Sequence, residues 1–588
     1  MVNKLIVNRL NKLRESLKEA NLEAYYIPTS DYHCSEYVDD YFKDRYYLSN
    51  FSGSSGELIV TLDNAYLFTD GRYFIQAEAE LRGTSIQLMK KGQNGVPTPV
   101  QLLKKLKIKR LGFDGKKTPY NEGKQFENNF RISYDTNLVS RDDNPIFPCT
   151  EAFPLELKYA GESSFGKLKR IRKQMKEDKV DNYLLCSLDD IAWCLNLRGR
   201  DIPCTPVNMA YVIITLTDIL IFIDNKKLSA EVIQSFRQIQ PTYYEYNDIY
   251  EYVLKLKNQK FVVDDSKTNY LLLRNIEKHN FVLHKESYIT LMKAIKNDIE
   301  VKNIKKAHVI DGVAMVKFMK FLKDHEGKIT EISATKYLYE LRSQAPSYIE
   351  PSFNTIAAYN EHGAMMHYCA DWQSDCNLGY DGFFLVDSGG QYLEGTTDIT
   401  RTFVMGELTD EQRKHYTLVL KSSLRLMMAK FLYGCRGVNL DILARGPIWD
   451  EMLDYQCGTG HGVGYLSNVH EAPNGFRWKI VPERNDSCVL EKNMITTDEP
   501  GIYLKDQYGI RIENELLTVE LCENEYGKFM GFENVTVCPI DIDAIDKKYL
   551  TKEEIKYLND YHKFVYKKLN RFLNDEEKAF LKQYTRKI

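Results

Sequence analysis

A chain of 588 residues is too long for one ordinary domain and points to three or four. Its hydrophobic fraction of 43% and aromatic fraction of 12% supply several cores and exclude wholesale disorder. A formal net charge of −3, with 27% of residues charged and both signs mixed, gives no reason to expect nucleic acid or an anionic membrane as a partner.

Residues 1–9 never reach the uninterrupted apolar stretch of a secretion signal; Leu5, Leu10, Leu13 and Leu17 instead recur near helical spacing and predict an amphipathic surface helix. No apolar run approaches the roughly 18–20 residues of a membrane span. The most apolar stretch, 210–223, is broken by Thr215, Thr217 and Asp218 and is expected to be two strands joined by a turn. The twelve cysteines are scattered and form no C-x-x-C pair, which suits reduced thiols in a cytoplasmic protein better than a disulfide scaffold or a zinc–thiolate cluster.

Residues 24–27, 58–62 and 65–68 have strand character, with a flexible turn at 50–56 (N-F-S-G-S-S-G). The plan then repeats. Residues 182–185 precede Ser187 and Asp189 much as 24–27 precede Ser30 and Asp31, N-L-R-G at 196–199 answers N-F-S-G at 50–53, and Thr215-Leu216 with Asp224 echoes Thr61-Leu62 with Asp70. Pro145, Pro148 and Pro154 mark a boundary near residue 158. Three domains are therefore expected: an N-terminal α/β domain at 1–157, a second related α/β domain at 158–296, and a third at 297–588. The third opens with a helix over 300–322, striped by Ile304, Ala307, Val313, Val316, Phe318 and Met319, and a second over 332–342. The tail from Lys547 has helical spacing and is expected to be a solvated cap.

Residues 383–390 (F-F-L-V-D-S-G-G) make an apolar strand ending at Asp387, and T-T-D-I-T-R-T at 396–402 carries Asp398 between β-favouring residues. Adjacent hairpin strands would set these acids side by side, although either alone would be an ordinary turn or capping residue. The glycines around His461 in G-T-G-H-G-V-G leave its imidazole unshielded and let backbone approach a ligand closely. His470 follows in V-H-E-A-P, and Glu499 in T-D-E-P-G and Glu513 in G-I-R-I-E-N-E each end a strand-like stretch, with Arg511 two residues before Glu513.

These segments, in this order and spacing, resemble those of the pita-bread metallopeptidases, and among them the long three-domain Xaa-Pro aminopeptidases (aminopeptidase P). T-D-G-R-Y-F at 69–74 is similar to that family's first domain and D-D-I-A-W-C-L-N-L-R-G at 189–199 to its second, so the likeness spans essentially the whole chain. The resemblance implies an α/β (α+β) protein in which two tandem related α/β domains precede a pita-bread catalytic domain. It also implies metal ligands Asp387, Asp398, His461, Glu499 and Glu513, with Asp398 and Glu513 bridging two divalent ions, Asp387 completing one ion and His461 and Glu499 the other. His367 (M-M-H-Y) and His470 match the histidines that flank the scissile bond, and Arg511 would pair with and orient a ligating carboxylate. His362 has no such match and is left as a loop residue.

Four carboxylates and one imidazole form a hard donor set suited to Mn²⁺, and crowded carboxylates need dications to be tolerable. Two ions can share and acidify a water for attack on a carbonyl. The implied activity is release of the N-terminal residue from peptides with proline second, by a homodimeric enzyme. A prolidase-type dipeptidase and a non-catalytic pita-bread peptide-binding module are the rival readings. Two positions depart from the family pattern: Cys457 stands where a histidine is usual, and Ala472 where glycine is commoner.

Overall fold

The computed structural model describes residues 3–324, 328–481 and 484–588. They form two compact units, Met1–Glu156 with Glu162–Ile289, and Leu157–Gly161 with Thr290–Ile588.

The first unit holds two six-stranded sheets with the same strand order. In one, Ala24–Pro28 pairs antiparallel with Glu57–Thr61 and parallel with Arg110–Phe113. In the other, Asn182–Leu185 pairs antiparallel with Ala210–Thr215 and parallel with Lys260–Val263. The repeat seen in the sequence is thus a repeat of topology, and the strands expected at 210–223 are Ala210–Thr215 and Ile219–Ile223. The halves also meet reciprocally: Tyr120 N donates to Thr268 O (2.9 Å) and Tyr270 N to Thr118 O (2.8 Å). One apolar core, including Tyr26, Phe113, Tyr211 and Tyr270, runs through both.

The first helix is Lys4–Glu19, started by Asn3, whose side chain accepts from Ile6 N. It buries Ile6, Leu10, Leu13 and Leu17, while Leu5 is 54% exposed. The apolar stripe therefore begins at Ile6, one residue later than the leucine spacing suggested. No helix among the described residues is long and apolar enough to cross a membrane.

The second unit is built on two sheets. Ile356–Tyr359, Phe383–Ser388 and Ile399–Val404 form a three-stranded sheet, and Gly460–Gly462, Glu471–Phe476, Ile495–Asp498 and Asn514–Asn524 belong to a six-stranded one. The sheets join where Glu513 N donates to Thr400 O (3.1 Å) and Thr402 Oγ1 to Arg511 O (2.9 Å). Helix Asp298–Asp324 buries Ile304, Ala307, Val316, Phe318 and Met319, but also Glu300, His308 and Asp311, which hydrophobic periodicity does not reveal.

The C-terminal helices, Lys552–Leu569 and Asp575–Tyr584, are helical as expected but are no solvated cap. Leu558, Tyr561, Val565, Leu569, Phe580 and Leu581 enter the same apolar core as Phe318 and Phe384, because tyrosine and leucine at helical spacing make a buried stripe beneath the lysines.

Gly312 brings the long helix against backbone: a Cβ there would stand 2.0 Å from Val537 O. Gly312→Ala should cost about 1–3 kcal/mol through overpacking and lower the thermal midpoint of this unit, measured calorimetrically. An unchanged midpoint would show that the helix can shift without loss.

Candidate metal centre

The three-stranded sheet pairs Asp387 with Thr400, and Asp398 immediately precedes the strand Ile399–Val404, so the hairpin brings the two acids to one end of the sheet. The six-stranded sheet supplies the other three residues. His461 lies on Gly460–Gly462, Glu499 follows Ile495–Asp498, and Glu513 precedes Asn514–Asn524. His461 Nε2 lies 3.4 Å from Asp398 Oδ2 and 3.5 Å from Glu499 Oε1. Asp398, His461 and Glu513 each offer a donor atom within 4.8 Å of the others.

Neighbours fix these donors. His461 Nδ1 donates to Gly462 O (2.9 Å), which turns Nε2 towards the carboxylates. Thr497 Oγ1 donates to Glu499 Oε1 (3.2 Å) and accepts from His461 N (3.0 Å). Thr400 Oγ1 donates to Glu513 Oε2 (2.7 Å). Arg511 Nη2 donates to Asp387 Oδ2 (2.7 Å), its Nε to Thr400 Oγ1 (3.1 Å) and its Nη1 to the Tyr503 hydroxyl (2.6 Å).

The glycines at 458–464 act differently from the sequence expectation. A Cβ at Gly460 would stand 1.8 Å from Thr497 O, so this glycine admits the neighbouring strand rather than a ligand.

The electrostatics call for cations. Burial, with the charges of Asp387 and Glu499, pushes Asp398 up to about 7. Burial also drives Glu513 well above the usual carboxylate range, reinforced by Asp398, Asp387 and Glu499. For His461, burial alone would favour the neutral ring, but the Asp398 hydrogen bond and the charge of Glu499 outweigh it and raise the group to about 9. Asp387 Oδ1 and Glu513 Oε1 are buried and receive no hydrogen bond. Buried carboxylate oxygens without donors, clustered beside an imidazole, fit divalent cations of the oxygen-preferring class.

His470 lies beside this group, its ring centroid 4.3 Å from that of His461 and nearly perpendicular to it. It sits just before the strand Glu471–Phe476 rather than on it. Glu471 is clamped by the buried lysines Lys293 (3.0 Å) and Lys296. The segment of His367 is held on both sides: Met366 O accepts from Arg511 Nη2 (3.3 Å) and the Tyr368 hydroxyl donates to Glu331 Oε2 (2.9 Å).

Sequence reasoning missed several supports. Glu515 Oε1 accepts from Asp398 N (2.7 Å), and His308 Nε2 lies 3.1 Å from Glu515 Oε2. Glu515 and Thr400 fall inside the quoted motifs, whereas nothing local marks His308, Lys293 or Lys296. Cys457 is held by its backbone, with Arg445 Nη2 donating to its carbonyl (3.1 Å). Burial and the nearby Glu499 charge push its thiol up to about 12.

The chain is similar to known proteins along nearly its whole length. Two models described as the creatinase/prolidase N-terminal domain match residues 9–141 and 143–300, metallopeptidase family M24 matches 302–520, and its C-terminal region matches 528–588. Xaa-Pro aminopeptidase 1 of Dictyostelium discoideum is 37% identical over 593 residues, covering 96% of this chain and 93% of that one. The X-prolyl aminopeptidase of Caenorhabditis elegans, described as a cytosolic enzyme with a di-nuclear active site, superposes with a TM-score of 0.93 at 33% identity, covering 99% of this chain and 100% of that one. Prolidase from Pyrococcus furiosus shares the fold over 62% of this chain and 98% of its own, with a TM-score of 0.50 and 22% identity.

Protons and cations compete for this site. With Asp398 lifted to about 7 and His461 to about 9, loading the metal-free protein near neutral pH should release protons. Affinity should then weaken by about tenfold per pH unit for each proton displaced as pH falls. Calorimetric titration in buffers of different ionisation enthalpy checks this, and buffer-independent heats would contradict it.

Proposed function

Because the chain belongs to the Xaa-Pro aminopeptidases of metallopeptidase family M24, we propose that this centre hydrolyses the bond between an N-terminal residue and a proline in second position. The observation that carries the reading is the convergence of Asp387, Asp398, His461, Glu499 and Glu513, with Asp387 Oδ1 and Glu513 Oε1 buried and without hydrogen-bond donors. A pita-bread module without chemistry has no use for such a set. Likeness over the full chain to an X-prolyl aminopeptidase favours this reading over prolidase, whose similarity is of fold and covers 62% of the chain.

Asp387, Asp398, His461, Glu499 and Glu513 would together hold the two divalent cations. The two divalent cations supply positive charge and an acidified water. The protein's own residues do the rest. Arg511 keeps Asp387 oriented, and the Nδ1–H bond to Gly462 O holds His461 in the ligating tautomer. The Xaa–Pro bond is a tertiary amide whose nitrogen carries no hydrogen, so proline leaves only when that nitrogen gains a proton. His470, beside His461, and His367, held between Arg511 and Glu331, are assigned to steady the oxyanion and deliver that proton.

The oxygen-rich donor set supports Mn²⁺ as the ion. Twelve free cysteines and the cytosolic relative support a cytoplasmic enzyme. A homodimer is supported by Trp449, Met452 and Trp478, exposed by 37%, 92% and 47%, whose aromatic and methionine character is that of an interface; a monomeric mass in solution would exclude it.

The Mn²⁺-loaded protein should release the first residue from tripeptides and longer peptides with proline second and leave alanine-second peptides nearly intact, as read by product chromatography. Cleavage confined to Xaa-Pro dipeptides would instead identify a prolidase. His470→Ala should retain its metal and lose roughly 10²-fold or more in kcat. Loss of the ions along with activity would make His470 a ligand.

A further inference from the structure

Among the described residues, one other group of potential metal donors converges: Glu331, His362 and Cys376. Glu331 opens the helix Glu331–Ser343, capped by Thr330, and its carboxylate is completely buried. Backbone pairing holds the cysteine segment against that helix start: Glu331 N donates to Cys376 O (3.2 Å) and Leu378 N to Ile329 O (2.8 Å). His362 lies in the short 3-10 turn Asn360–Ala364. Its Nδ1 is 2.8 Å from Glu331 Oε1 and 3.8 Å from Cys376 Sγ, and the three donor atoms all lie within 4.8 Å of one another. Its ring stacks on Tyr368, whose hydroxyl donates to the other oxygen of Glu331. Within the described residues, His362 is the only cationic group in ion-pairing reach of Glu331.

A carboxylate, an imidazole and a thiol brought from separate segments differ in kind from the carboxylate centre, whose five assigned ligands include no sulfur. Soft sulfur selects Zn²⁺-like ions over Mn²⁺. The dimensions are compatible. With Zn–S of about 2.3 Å and Zn–N of about 2.1 Å, a tetrahedral site has an S···N edge of roughly 3.6 Å, near the separation found here. The N···O edge would open to roughly 3.4 Å as the ion replaces the hydrogen between Nδ1 and Oε1. The His362 side chain is 21% exposed, so an ion can enter from solvent.

We propose that Glu331, His362 and Cys376 form a separate site for a thiophilic divalent cation of the Zn²⁺ class, with solvent at the remaining position. Loading leaves His362 neutral and releases the Cys376 proton. Burial and the Glu331 charge otherwise hold that thiol up at about 12, so affinity rises with pH. The ligands flank residues 363–375, which include His367, so an ion here fastens both ends of that segment to one helix start. That last consequence alone rests on the hydrolase reading.

The test uses full-length protein already saturated with Mn²⁺, titrated with Zn²⁺ or Co²⁺. One further equivalent of ion should be retained, and Co²⁺ should give an ultraviolet thiolate-to-cobalt charge-transfer band. Cys376→Ser should lose both the band and the extra equivalent while still cleaving Xaa-Pro peptides. Cys457→Ser, which alters the thiol near Glu499, should keep both. No extra equivalent in the wild type, or a band that survives Cys376→Ser, would overturn the site. A normal band in a protein unable to cleave any Xaa-Pro peptide would uphold the site and count against the hydrolase reading instead.

Discussion

The mutual repulsion of Asp387, Asp398, Glu499 and Glu513 sets the terms for much of the second unit. Two like charges about 4 Å apart repel by roughly 4 kcal/mol where the effective dielectric is about 20, so clustered acids of this kind need compensating positive charge. The chain supplies part of it through Arg511 on Asp387, His461 beside Asp398 and Glu499, and hydroxyl donors from Thr400 and Thr497. It leaves Asp387 Oδ1 and Glu513 Oε1 without donors. That incomplete compensation is what gives the site its affinity for cations, and it must be held by a rigid frame.

Arg401 shows how the frame is made. Its buried guanidinium donates to the carbonyls of Thr400, Glu513, Cys538 and Pro539, to the Asn514 side chain and to the Tyr561 hydroxyl. One side chain thus ties the Asp398 hairpin and the Glu513 strand to the C-terminal helix. The histidines assigned to the proton are held more remotely. Lys293 and Lys296 clamp Glu471 next to His470, and Glu331 with Arg511 brackets His367. The residues assigned to the metals therefore lie on strands or directly beside them, while those assigned to the proton lie on segments anchored by buried ion pairs and hydrogen bonds.

Much of this was legible in the sequence wherever it was local. Strands such as Asn182–Leu185 and Ala210–Thr215 announce themselves by runs of apolar and β-branched residues, and the duplicated sheet appeared as repeated turn and strand signatures. The five candidate donors stand out because each lies in a distinctive motif: Asp387, Glu499 and Glu513 close strand-like stretches, Asp398 sits between β-favouring residues and His461 among glycines. What could not be read depends on chain segments distant in sequence. Glu331, His362 and Cys376 meet only through folding, as do Lys296 with Glu471 and His308 with Glu515. The C-terminal helices looked solvated because lysine dominates their composition, and only tertiary contact distinguishes a covered tyrosine–leucine stripe from an exposed one. The glycines near His461 were recognised for close approach, but which neighbour approaches is a property of the sheet.

The central claim is that the buried acids and His461 enclose two cations. Crystals of the Mn²⁺-loaded protein, measured at the manganese absorption edge, test it directly. Two anomalous peaks should appear among Asp387, Asp398, His461, Glu499 and Glu513, roughly 3.5–4 Å apart, with Asp398 and Glu513 bonded to both. A single peak, or peaks outside this group at full metal loading, would contradict it.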